Sequence, residues 1–169
     1  YLGYRADPEK RFIPEALRIP EVEAGVRQAM NEAAAALVAE YPGAYTRQDL
    51  ADHIEDLLGR FKNQALGDTV HRVGRDLPRK LSRDDRLTGA MLLCAKRDVP
   101  FTGIAAVYAA ALDFAAPDEQ GALFPEDLRF RSELLPLGIE GILQKVSQLD
   151  KNKEFDRRVI EALCKKAGA

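Results

Sequence analysis

The chain has 169 residues, 46% of them hydrophobic, with 25 Lys+Arg against 27 Asp+Glu and a formal net charge of −2. That length fits one domain able to bury a real core, and the apolar content excludes a disordered chain. The slight acidity argues against general nucleic-acid binding, which wants a broadly basic face.

No apolar run is long enough to cross a membrane, and no signal-peptide pattern is read at Tyr1. Cys94 and Cys164 are far apart and lack metal-ligand spacing. They read as two reduced thiols of a cytoplasmic protein.

The opening Tyr1-Leu2-Gly3-Tyr4 is apolar, with no capping residue before it, and reads as the end of an element begun upstream. Residues 5–20 form a connector with a helical turn at 14–18, because Asp7-Pro8 and Ile19-Pro20 bias the residue before each proline away from helix. From Glu21 the residues Val22, Val26, Met30, Ala33, Leu37 and Val38 recur at spacings of three and four, one face of an α-helix. Pro20 suits its first position, Glu21 and Glu23 suit its positive end, and Pro42-Gly43 stops it. Thr46 caps a second helix, with Asp49 in the capping-box place and a stripe of Leu50, Ile54, Leu57, Leu58 and Phe61.

After a charged, loop-rich stretch, Asp84 or Asp85 caps a third helix that Asp98-Val99-Pro100 breaks. Residues 101–115 are apolar nearly all round and predict the buried central helix. The segment 118–136 is less regular, with a helix ending before Pro136. A short helix follows over Gly138–Leu149, and Asn152 caps a last one carrying Phe155, Val159, Ile160 and Leu163. No useful length shows period-two alternation. The expected class is all-α, a multi-helix bundle forming one domain over 1–169.

The charged stretch is Arg60–Arg86. It holds eight basic residues against four acidic ones, while the rest of the chain is acidic on balance. A positive island in an acidic protein suggests a local anionic ligand. If 69–75 is helical, Arg72 and Arg75 share a face, and Pro78 turns the chain at Leu77 so that Arg79 and Lys80 come back toward Arg72. Such a cluster suits a phosphate or sugar acid. The plain alternative is a solvated surface paired with Asp76, Asp84 and Asp85. Asn63 either caps the preceding helix at its C-terminus or points an amide at a polyhydroxyl ligand. His53 reads as surface, and His71 could carry a proton or contact phosphate. Tyr1, Tyr4 and Tyr108 read as packing residues. There is no Gly-rich phosphate loop, zinc motif or nucleophile elbow, so the residues alone give a candidate anion site without a catalytic machine.

Those same residues carry a resemblance. Arg60, Phe61, Asn63, Asp68, Arg72, Val73, Gly74, Arg75, Arg79, Lys80, Leu81, Asp85, Arg86 and Leu87 resemble the signature stretch of the long-chain polyol (mannitol) dehydrogenase family, in its mannitol-1-phosphate 5-dehydrogenase branch. Tyr1-Leu2-Gly3-Tyr4 resembles the segment just after that family's catalytic helix. The resemblance implies that this chain is the helical C-terminal substrate domain. An N-terminal Rossmann domain binding NAD, and a catalytic lysine in a Lys-x-x-x-x-Asn-x-x-His helix, would lie upstream of Tyr1. It implies substrate contacts at Asn63, Arg72, Arg75, Arg79 and Lys80, no catalytic residue, cofactor site or metal in this chain, and no turnover by this part alone. The implied reaction interconverts mannitol 1-phosphate and fructose 6-phosphate. The turn Asp76-Leu77-Pro78 departs from the pattern, in which the proline comes one position earlier, and this would re-aim Arg79. Fructuronate and tagaturonate reductases share the architecture. A non-enzymatic module whose basic stretch meets an acidic partner, or a stand-alone anion-binding domain, are the readings outside the enzyme class.

Overall fold

The structure is a computed structural model and describes residues 1–167. Its elements in order are α1 (Leu2–Ala6), α2 (Ile13–Ala16), α3 (Pro20–Glu40), α4 (Arg47–Phe61), a 3₁₀ turn (Gln64–Leu66), α5 (Val70–Gly74), α6 (Leu77–Lys80), α7 (Arg86–Lys96), α8 (Thr102–Leu112), α9 (Pro125–Arg129), a wider π turn (Phe130–Leu134), a second 3₁₀ turn (Leu135–Leu137), α10 (Gly138–Lys145) and α11 (Glu154–Ala167). The class is all-α; among the described residues the only extended pairing is one bridge between Phe12 and Thr69.

The apolar segment after Phe101 becomes α8, which packs against α3, α7 and α11. Ile104, Tyr108 and Ala111 of α8 are buried, as are Met91 and Cys94 of α7 and Val159 and Leu163 of α11. Small residues let the helices approach closely: a side-chain carbon on Gly103 would lie 3.1 Å from the backbone nitrogen of Ala29 in α3. Burial of each large side chain contributes roughly 1.5–3 kcal/mol, so this helical layer is the main source of stability.

Caps follow the sequence in some places and not in others. Thr46 and Asp49 form the reciprocal capping box of α4, and Asp85 caps α7. The N-terminus of α8 has no local cap. Instead, Glu32 of α3 reaches across, and its two carboxylate oxygens each accept a backbone N–H, from Gly103 and Ile104, at 2.9 Å.

Four boundaries differ from the sequence expectation. α10 ends at Lys145, not at Leu149. Gln148 adopts left-handed φ (52°), Leu149 N–H reaches back to Leu143 O, and the turn tucks Leu149 into the core. The last helix begins at Glu154, past Asn152, whose side chain donates to Asp150. Pro136 does not end a helix but sits inside a 3₁₀ turn, and Phe130 is the buried anchor of that region while Leu128 is exposed. Finally, Leu77 is helical despite the following proline. The turn falls one residue earlier, at Asp76, with φ 73° and ψ 55°.

Candidate functional site

The basic stretch folds into short pieces that could not stand alone, since a helix of four or five residues is far below the length that is stable in water. Tertiary contacts hold α6. Leu77 and Leu81 are fully buried. Asp127, from α9, accepts hydrogen bonds from the backbone N–H of Asp76 (3.1 Å) and Leu77 (2.6 Å) and is itself only 3% exposed. At the other end, Leu81 O accepts from Thr88 Oγ1 and Ser147 Oγ. Because Ser147 spends its one proton on that carbonyl, Tyr108 must be the donor in the 2.7 Å contact between their hydroxyls. All three polar side chains are buried. A buried network with every member satisfied is rigid, and it fixes the base of α6.

α5 is positioned from three sides. Thr69 caps it through Arg72 N–H. Its last residue, Gly74, lies against Phe114, where a side-chain carbon would come 2.2 Å from the ring. Tyr1 and Tyr4 both meet Phe114 edge-on, with centroids 5.2 Å away, and the Tyr1 hydroxyl donates to Gly74 O at 2.8 Å. Burial, with the Asp127 carboxylate adding to it, pushes the Tyr1 phenol well above its ordinary range, so it stays a donor.

The five residues singled out by sequence do not form one cluster. Asn63 caps the 3₁₀ turn that follows it, accepting from Ala65 N–H at 3.0 Å; it is not the C-cap of α4, a position taken by Lys62. Arg79 is committed to two acids, Asp76 at 2.6 Å and Asp85 at 2.9 Å. Lys80 does turn back toward α5, donating to Val73 O. Burial, and next the charge of Arg79, lower its pKa. It meets the carbonyl next to the one the Tyr1 hydroxyl takes, and its charge acts on the Tyr1 amino group and on Asp127.

Arg72 and Arg75 face a different space. They line an open cleft of ≈830 Å³ between residues 8–11, α5 and the 116–121 loop. Lys10, Arg11 and His71 line it as well. Arg72 pairs with Asp68 and Lys10 with Asp7. His71 Nδ1 lies 2.9 Å from Ala116 O. A carbonyl only accepts, so Nδ1 carries the proton and the ring orientation is fixed. Lys10, Arg11 and the 116–121 wall carry no signal in the basic stretch itself. Only the Phe12–Thr69 bridge, with Arg11 O accepting from Val70 N–H at 2.8 Å, brings the early connector here.

No group of His, Cys, Asp and Glu among the described residues could hold a metal ion. Cys94 and Cys164 are both free thiols, and burial pushes Cys94 up to about 11. No helix of the described residues is long and apolar enough to cross a membrane.

Comparison with known proteins gives the family. The model of the mannitol dehydrogenase C-terminal domain matches residues 1–165. A mannitol-1-phosphate 5-dehydrogenase of Bacillus licheniformis is 34% identical over 166 residues, which are 96% of this chain and 41% of that protein. Another of the same name, from Brevibacillus brevis, is 31% identical over 161 residues, 95% of this chain and 39% of that protein. The chain thus spans about two-fifths of the length of these relatives. Matched over nearly all of its residues, it belongs to the mannitol dehydrogenase C-terminal domain family.

Proposed function

We propose that this chain is the substrate-binding part of an NAD-dependent oxidoreductase that interconverts mannitol 1-phosphate and fructose 6-phosphate. The observation that carries the reading is that relatives of that name align over almost the whole chain while extending well beyond it. The remainder of such a protein would hold the nucleotide. The sequence has no glycine-rich dinucleotide fingerprint, and the described residues lack the strand–helix–strand unit that would carry one. NAD, the hydride acceptor when bound, is therefore assigned to a proposed Rossmann domain upstream, and the general base to a lysine there.

This chain's own residues would bind and orient. Lys80 sits beside Tyr1, so a catalytic segment entering at Tyr1 would pass the Lys80 ammonium. Its lowered pKa reflects burial, and an ammonium in such a corner holds a hydroxyl or carbonyl oxygen well. Arg72 and Arg75 are the proposed contacts to the anionic end. Arg79 and Asn63, with their polar groups already engaged, act by holding the loop in place. Gripping a remote, non-reacting phosphate fixes the reacting carbon and lowers the barrier through orientation. In the full-length protein, Arg72→Ala raises the KM for mannitol 1-phosphate about tenfold or more, as expected for loss of one charge-assisted contact, and leaves the KM for NAD unchanged. Absence of NAD reduction with mannitol 1-phosphate by the full-length protein refutes the reading.

A further inference from the structure

The cleft at α5 contains cations that the fold does not use. Arg11 and Arg75 have no ion-pair partner among the described residues. Arg75 rests its guanidinium over the Phe124 ring, 5.1 Å from the centroid. That contact steers the planar fork but leaves its N–H donors in the plane unspent. Glu9, Asp118 and Glu119 also line the cleft, but none of them makes an ion pair with either arginine. Asp118 turns an oxygen onto the backbone N–H groups of Gln120 and Ala122. Glu9 and Glu119 are exposed, and neither joins an ion pair.

Two arginines without an acid in contact, in one concavity, are free to grip an external anion. The walls are also tied together. Residues 11–13 are pinned to 68–70 by Val70 N–H to Arg11 O (2.8 Å) and Ile13 N–H to Asp68 O (2.9 Å), and His71 pins α5 to Ala116. The backbone that carries the donors is thus held in position in advance, and the His71 ring and Arg75 guanidinium are oriented as well, which lowers the ordering cost of binding.

The geometry points to a phosphate subsite here, gripped by Arg11 and Arg75, with His71 and Arg72 beside it. The inference rests on the dehydrogenase reading only for the identity of the rest of the ligand. In a hexitol 1-phosphate oxidised at C5, the phosphate and the reacting carbon lie toward opposite ends of the chain. The structure has two matching places. Tyr1 marks the Lys80 corner and Tyr4 lines the cleft, about one turn or ~4.5 Å apart along α1. The two tyrosine rings flank Phe114. With its phosphate among the arginines, a substrate would extend past Tyr4 toward the start of α1, where the proposed catalytic segment enters. Arg11 lies outside the basic stretch and is the residue that separates this inference from the sequence reading.

The test uses the full-length protein and the variants Arg11→Gln, Arg75→Gln and their combination. Each single variant raises the KM for mannitol 1-phosphate roughly tenfold to a hundredfold, the effect of losing one charge-assisted contact. The kcat for mannitol 1-phosphate falls as well, because the phosphate grip orients the reacting carbon, and the preference for mannitol 1-phosphate over unphosphorylated mannitol shrinks. Inorganic phosphate inhibits the wild type competitively and the combined variant much more weakly. Turnover of mannitol 1-phosphate with an unchanged KM in all three variants overturns the subsite and leaves the dehydrogenase reading standing. If the full-length protein does not oxidise the sugar phosphate, that reading falls, and the melting temperature in inorganic phosphate still decides the cleft. A rise in Tm that the combined variant loses supports the subsite, and no rise in the wild type refutes it.

Discussion

Asp127→Ala is the most informative single change, because one carboxylate holds both the turn and the helix that carry Arg79 and Lys80. Its oxygens accept from Asp76 and Leu77 N–H, and the Leu77 bond is buried. Each hydrogen bond to a charged group contributes roughly 1.5–3 kcal/mol. Two effects act the other way. Truncation lets Asp76 leave the left-handed region (φ 73°), a conformation that costs roughly 1–2 kcal/mol for a side-chain-bearing residue. Burial raises the Asp127 pKa despite both N–H bonds, so the ionised carboxylate carries a desolvation cost that the variant escapes. The net expected loss is about 2–4 kcal/mol, or a fall in Tm on the order of 10 °C for a domain of this size. Urea unfolding and amide exchange at Leu77 measure it: stability falls, and the Leu77 amide loses protection while amides in α8 exchange only as global stability dictates. Since α6 then moves, sugar-phosphate affinity of the full-length protein falls too. A loss under ~0.5 kcal/mol, or an unchanged Leu77 amide, refutes the role assigned to Asp127.

Three further outcomes follow from the structure. Arg83 grips Asp156 with two hydrogen bonds (2.7 and 2.8 Å), and chiefly for that reason the Asp156 pKa lies below its ordinary 3.8. A depressed carboxylate contributes stability that is present above its unfolded pKa and is lost as pH falls through the folded one. The urea stability of Asp156→Asn is therefore lower at neutral pH and declines less than wild type on acidification below about pH 4. Gly74→Ala drives a methyl into the buried Phe114 ring and costs on the order of 1–3 kcal/mol by denaturation, more if the ring cannot shift. Glu32→Ala strips the remote cap from α8 and costs about 1–3 kcal/mol, whereas Glu32→Gln, which retains one acceptor, costs less; equal losses would argue that Glu32 acts by packing.

The fold was legible wherever the signal was local. The stripe of α4 apart from the exposed Phe61, its Thr46–Asp49 box, the Asp85 cap and the apolar run of α8 all depend on residues within one helix, and all stand where the sequence puts them. The misses share a cause. Leu77 is helical because Asp127, fifty residues on, binds its N–H, and this outweighs the steric bias that Pro78 imposes. The N-terminus of α8 carries no cap motif because its cap is Glu32, far back in the chain. α10 stops early because burying Leu149 requires the chain to turn at Gln148. Local propensity loses at each of these points to a tertiary partner that spacing cannot reveal.

The charge anomaly of Arg60–Arg86 shows the same limit at the level of the site. Counting charges treats its cations as equivalent, but in the fold their surroundings differ. Arg79 is neutralised by Asp76 and Asp85 and Arg83 by buried Asp156, so these charges largely serve the loop's own structure, while Arg72 lines the cleft and shares its charge with Asp68. Lys80 gives one of its three donors to a backbone carbonyl at the Tyr1 corner. Of the stretch's cations that line the cleft, Arg75 alone among the described residues keeps its charge uncompensated, and its unpaired companion, Arg11, comes from a segment with no excess charge to draw notice. An anion site is defined by which positive charges lack a negative neighbour, a property of pairs of residues. The count of basic residues in a window locates the neighbourhood, and the acids that the fold brings to each one decide which are left for a ligand.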